Sequence, residues 1–81
     1  MPYYEFQWTD DAVDHIEEHG VSPEDFESLV CSPARKGTSR SSGRCAAWGY
    51  TGDGRYIIAV YEEIDELMLL PITAYEVPEP R

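Results

Sequence analysis

Between Gly43 and Val77 the apolar positions fall into three short runs separated by turn residues, a pattern that predicts three β-strands. In Gly43–Thr51, Ala46, Trp48 and Tyr50 share one parity and Cys45, Ala47 and Gly49 the other, so one face is bulky and one small. Asp53-Gly54 tolerates positive φ and predicts a type I′ turn into the Tyr-, Ile- and Val-rich run Arg55–Glu62. A second turn near Glu63–Asp65 leads into Glu66–Ala74. These runs are too short and too β-rich for helices, so an antiparallel meander is expected.

Upstream, Tyr3–Trp8 alternates as a first strand, with Trp8 placed to anchor a helix to the sheet. Thr9 is a good N-cap, Asp10 and Asp11 suit the positive end of a helix dipole, and Ala12, Val13 and Ile16 form a narrow apolar stripe bordered by His19. Gly20 ends this helix, predicted over Asp10–His19. Ser22 caps a second helix, Pro23 takes its first position, Val21 and Phe26 stand at staple positions, and Cys31-Ser32-Pro33 stops it. The expected fold class is α+β: two short antiparallel helices packed on a small antiparallel sheet. Ala34–Ser42 is polar and reads equally as an edge strand or a mobile loop. Val77-Pro-Glu-Pro-Arg81 has no helical pattern, so no C-terminal helix is expected. One domain spans 1–77, its ordered part finishing near Glu76, with a flexible tail at 78–81.

With 81 residues the core is modest, and 42% apolar content is normal for a folded domain. No apolar run nears the roughly 20 residues of a membrane span, and the first residues lack the pattern of a signal peptide, which points to the cytoplasm. Two unclustered cysteines, Cys31 and Cys45, then read as buried thiols. The net charge of −10 is segregated: residues 1–33 hold nine acids and no Lys or Arg, whereas Arg35, Lys36, Arg40, Arg44 and Arg55 lie in residues 34–60 against Asp53 alone. Such a body repels phosphate polyanions overall, while a local basic strip can still hold one phosphate or a short loop. The other reading is that these cations neutralise acidic faces within the fold.

The order of motifs resembles the BrnT toxins, part of the RelE-like fold of type II toxin–antitoxin systems. The resemblance runs through the aromatic strand Phe6-Gln7-Trp8, His19-Gly20-Val21-Ser22 between helices, and a second helix ending in Ser32-Pro33. It continues through Gly49-x-Thr51-x-x-Gly54-Arg55, the Val60-Tyr61 strand and Ile72-Thr73-Ala74, covering about residues 4–76. It implies a small ribonuclease, acting without metal or other cofactor and neutralised by a cognate antitoxin protein, with RNA as substrate. In-line attack by a 2′-hydroxyl needs a base, an acid and a cationic clamp.

Carried onto this chain, the resemblance gives four candidate catalytic residues: His19, Arg44, Arg55 and Tyr75. Arg44 and Arg55, near each other across the hairpin, would clamp phosphate while His19 or Tyr75 moves protons. Three of them have a structural alternative of their own: a solvated turn cation for Arg55, a helix cap for His19, a strand-end ring for Tyr75. His15 and His19 lack a third zinc ligand near them in sequence. The chain also departs from the family pattern, since Tyr75 stands where a cation is common and Val77-Pro-Glu-Pro-Arg81 cannot form the family's Arg- and Glu-rich C-terminal helix. A second function is therefore carried forward, a non-catalytic acidic module that kept the fold to bind another protein. A third, mimicry of nucleic acid, rests only on acids crowding both ends.

Overall fold

In a computed structural model that describes residues 4–38 and 43–79, both helices start at the side chains suited to cap them. Thr9 Oγ1 accepts from the Ala12 N–H at 3.1 Å and opens α1 (Asp10–Glu18); Ser22 Oγ accepts from the Asp25 N–H at 3.1 Å and opens α2 (Pro23–Cys31). His19 is the C-cap of α1, and Gly20 follows with φ 73°. The Gly20 N–H donates to Glu17 O at 3.0 Å and the Val21 N–H to Ile16 O at 2.9 Å, a Schellman motif that buries Val21 beside Ile16. The chain thus reverses within a few residues, and Val21 and Phe26 enter the core together.

The strands are β1 (Glu5–Phe6), β2 (Arg35–Thr38), β3 (Cys45–Tyr50), β4 (Tyr56–Glu63) and β5 (Met68–Glu76), in the order β1-β5-β4-β3-β2. β3 to β5 form the expected antiparallel meander and β2 adds to it antiparallel, but β1 pairs in parallel with β5, so the α+β fold has a mixed sheet instead of an antiparallel one. The cause is the helix pair, which carries the chain across one face from the β1 edge to the β2 edge. β1 is also shorter than Tyr3–Trp8. Tyr3 lies outside the described residues, α1 lies along β5 beyond the β1 pairing, and Trp8 leaves the sheet to pack on α2. There its Nε1 donates to Glu27 Oε2 at 2.7 Å and its ring meets Phe26 edge-on at 5.1 Å between centroids.

The β3–β4 turn differs from type I′, which would need positive φ at Asp53. Only Gly54 has it, at 88°, and the loop holds three residues, Gly52 to Gly54, closed by Thr51 N–H to Arg55 O at 2.8 Å. In β5 the register slips by one between the pairs Val60↔Thr73 and Tyr61↔Pro71. That bulge accommodates Pro71, which has no N–H to give, and turns Ile72 and Thr73 to the same face.

Of the Ala34–Ser42 segment, Arg35–Thr38 is an edge strand, and Ser39–Ser42, with Arg40, lies outside the described residues. The expectation of buried thiols is corrected. Cys31 is exposed and Cys45 half-buried, because α2 buries Phe26, Leu29 and Val30 and Cys31 falls past that face. Beyond Glu76, the Val77 N–H donates to Tyr56 O at 3.0 Å, and Tyr50 Oη donates to Glu79 Oε2 at 3.3 Å. Pro80 and Arg81 lie outside the described residues. Among the described residues, no helix is long and apolar enough to cross a membrane.

The main core lies between the helices and the sheet, with Ile16, Phe26, Leu29, Ile57, Ala59 and Leu69 fully or nearly fully buried. Phe26 is 0% exposed, so Phe26→Ala should cost about 3–5 kcal/mol in urea denaturation, and a loss under about 1 kcal/mol would contradict this packing. Tyr61 sits in the same core, and burial first, then the Cys45, Glu63 and Tyr4 groups, pushes its phenol from 10.0 up to about 12. A phenol whose folded pKa is raised binds more protons folded than unfolded within that window. Its contribution is therefore complete below pH 10 and lost as pH rises towards about 12. Tyr61→Phe should flatten the fall in stability over that range, measured by denaturation at stepped pH; equal slopes for both proteins would refute it.

Candidate functional site

Which face the helices cover is decided by the small parity of β3. Ala47 and Gly49 face α2, where a Cβ on Gly49 would come 3.1 Å from Leu29 Cγ. Only small residues permit that approach. The bulky parity therefore falls on the opposite, helix-free face, which we call the outer face.

Strand register arranges the outer face in rows. Tyr50 pairs with Tyr56, ring centroids 5.0 Å apart. The next row is Arg35, Trp48, Ile58 and Tyr75, and the one after it Gly37, Ala46, Val60 and Thr73. Ile58 and Val60 are buried there under Trp48, Ile72, Tyr75 and Val77, each itself half-exposed. The Arg35 guanidinium carbon stands 5.2 Å from the Trp48 ring centroid, a cation–π distance. A Cβ on Gly37 would meet the Trp48 ring at 3.1 and 3.4 Å, so the indole lies across the glycine. Burial and the neighbouring Glu79 carboxylate raise the Tyr50 phenol pKa.

The four sequence-derived candidates do not meet on that face. Arg44 Nε donates to Glu62 Oε1 at 2.7 Å, on the outer side by strand alternation. Arg55 points to the helix side. Its Nε donates to both Asp53 oxygens at 3.1 and 3.0 Å, its Nη1 to His19 O at 3.4 Å and its Nη2 to Gly20 O at 2.5 Å. The pairings Cys45↔Tyr61 and Tyr50↔Tyr56 put the two arginines at opposite ends of the hairpin, on the order of 20 Å apart. The expected two-cation clamp is therefore not formed, because each arginine adjoins a different end of the β3–β4 ladder.

Three of the four do cluster around the α1 C-terminus. The His19 and Tyr75 rings approach to 6.0 Å between centroids at a tilt of 57°, and Arg55 holds the His19 carbonyl. The guanidinium here completes the negative end of the helix dipole and ties the β3–β4 turn to it. Thr51 supports the turn: its Oγ1 accepts from the Arg55 N–H at 3.1 Å and bonds the Asp53 carboxylate. That hydroxyl first, and then Arg55, lower the Asp53 pKa. Among the described residues no three His, Cys, Asp or Glu side chains are placed to hold a metal ion.

The bulky parity of Trp48 is legible in the sequence, but its partners on this face, Arg35 and Gly37, are not among the expected site residues. The available signal was composition, since the Arg-x-Gly spacing puts a cation and a missing side chain on one face of a strand. If Arg55 is a structural clamp, Arg55→Ala should lower stability by about 1–2 kcal/mol in urea, and Arg55→Lys should recover little, lacking the planar fork. Unchanged stability in Arg55→Ala would show that the clamp contributes nothing. No protein-family model matches this chain, and no curated protein matches it.

Proposed function

We propose that this chain is a non-catalytic protein-binding domain built on a RelE/BrnT-like framework, with the outer sheet face as its working surface. The observation that carries this reading is the separation of the two arginines. Each is paired inside the fold, on opposite faces of the sheet, so neither is placed to share a phosphate with the other. What the outer face offers instead is aromatic and aliphatic: Trp48, Ile58, Val60, Ile72 and Tyr75, rimmed by Tyr50, which is 53% exposed. Aromatic centres with a charged rim suit protein recognition. The net charge of −10 adds repulsion towards RNA. The element order, a strand, two helices and a meander, supports the RelE/BrnT-like framework that the motifs suggest.

One observation favours the nuclease reading: His19 and Tyr75 lie ring to ring, with Arg55 at the same helix end. In it His19 takes the proton of a 2′-hydroxyl, Tyr75 protonates the leaving oxygen and Arg55 must leave Asp53 to reach phosphate. That exchange opposes the clamp, which ranks this reading second.

One experiment separates the two. The purified protein is incubated with long single-stranded RNA, and separately co-expressed with the product of the adjacent gene. The binding reading predicts intact RNA and a co-eluting complex that Trp48→Asp disrupts and His19→Ala leaves intact. RNA fragmentation that falls at least tenfold in His19→Ala or Tyr75→Phe would replace it with the nuclease.

A further inference from the structure

β2 closes one side of the sheet. All four of its residues are exposed, and among the described residues nothing pairs with its outward edge. An open edge carries a row of main-chain donors and acceptors that a further strand satisfies. Its charge is unusual for this protein: Arg35 and Lys36 head the strand, in a chain where acids outnumber bases by 16 to 6.

The two cations serve both faces of the edge. Arg35 pairs with Trp48 and stands on the outer face, whereas Lys36 pairs with Ala47 and stands on the helix side. Gly37 returns to the outer face and leaves the Trp48 indole uncovered by any side chain of its own.

We propose that β2 accepts an extended, acidic segment of a partner protein as a sixth strand. The incoming strand places carboxylates beside Arg35 and Lys36 and an aromatic or aliphatic side chain opposite Gly37, against the Trp48 ring. Cross-strand charge pairs and an aromatic over a glycine are each favourable in sheets. A second copy of this chain is a poor occupant, because β2 carries two cations and no acid, so β2 against β2 offers Arg35 and Lys36 no carboxylate. RNA offers phosphates to the cations but no main-chain edge to the strand. This inference names the partner chemistry for the binding-domain reading and rests on it.

The test uses the intact protein, ¹⁵N-labelled, with two capped synthetic peptides: one carrying Phe-Glu-Glu in an extended Thr-rich sequence, so that antiparallel pairing sets Phe opposite Gly37 and the two Glu opposite Lys36 and Arg35, and its Lys-for-Glu analogue. The acidic peptide should shift and protect the amides of Arg35–Thr38 and move the Trp48 indole signal, with affinity at least about tenfold above the analogue. In the double variant Arg35→Glu, Lys36→Glu, whose spectrum elsewhere reports on folding, the preference should reverse. No shifts in β2, equal binding of both peptides, concentration-dependent self-association through β2, or a single-stranded RNA moving those amides when the peptide does not would each overturn the proposal. If the adjacent gene product binds at Trp48 while the β2 amides stay unmoved, the binding-domain reading survives and only the edge assignment falls.

Discussion

The Arg55 guanidinium joins the two halves of the fold. It reaches from the β3–β4 turn to the carbonyls of His19 and Gly20 just past the end of α1, and Asp53 fixes it from behind. Gly20 makes room, since a Cβ there would stand 2.9 Å from Arg55 Nη1 and the φ of 73° already favours glycine. The same glycine closes the Schellman motif that sends Val21 and then Phe26 into the core. Helix termination, hairpin position and core entry therefore share one small group of atoms.

From that joint follows the division of the sheet. α2 presses on the small side of β3, α1 lies along β5, and the large side chains of β3 are left on the outer face. A protein this small has little surplus core, and an aromatic face left without a helix calls for a functional explanation. The outer face is not greasy throughout. Arg35 lies over Trp48, Arg44 pairs with Glu62, and Glu79 meets Tyr50, so an apolar centre is ringed by charge. In a mostly acidic chain, three of the described cations, Arg35, Lys36 and Arg44, stand at this rim and at the β2 edge, while Arg55 serves the α1 end.

Much of the framework was legible in the sequence because it is written in short-range signals. Thr9, Gly20, Ser22 and Pro23 mark the helix ends by local hydrogen bonding and allowed φ, and each acts where its chemistry says. Long-range features were hidden. The parallel pairing of β1 with β5 depends on where the helices deposit the chain, which alternation in Tyr3–Trp8 cannot encode. The turn looked like type I′ from Asp53-Gly54, but the carboxylate is held by Arg55 and Thr51 and the loop takes a third residue. Register hid the separation of Arg44 and Arg55 too. Counting residues suggests proximity across a hairpin, and only the pairing of Tyr50 with Tyr56 places one arginine at the turn and the other at the far end.

The central claim is that Arg55 serves the fold and is withheld from any nucleic acid. Its side-chain Nε–H signal in a ¹⁵N-arginine NMR spectrum tests this most directly. A slowly exchanging Nε–H with hindered guanidinium rotation, unmoved by added single-stranded RNA, is the predicted result. A freely rotating Arg55 whose signal shifts on addition of RNA would contradict it.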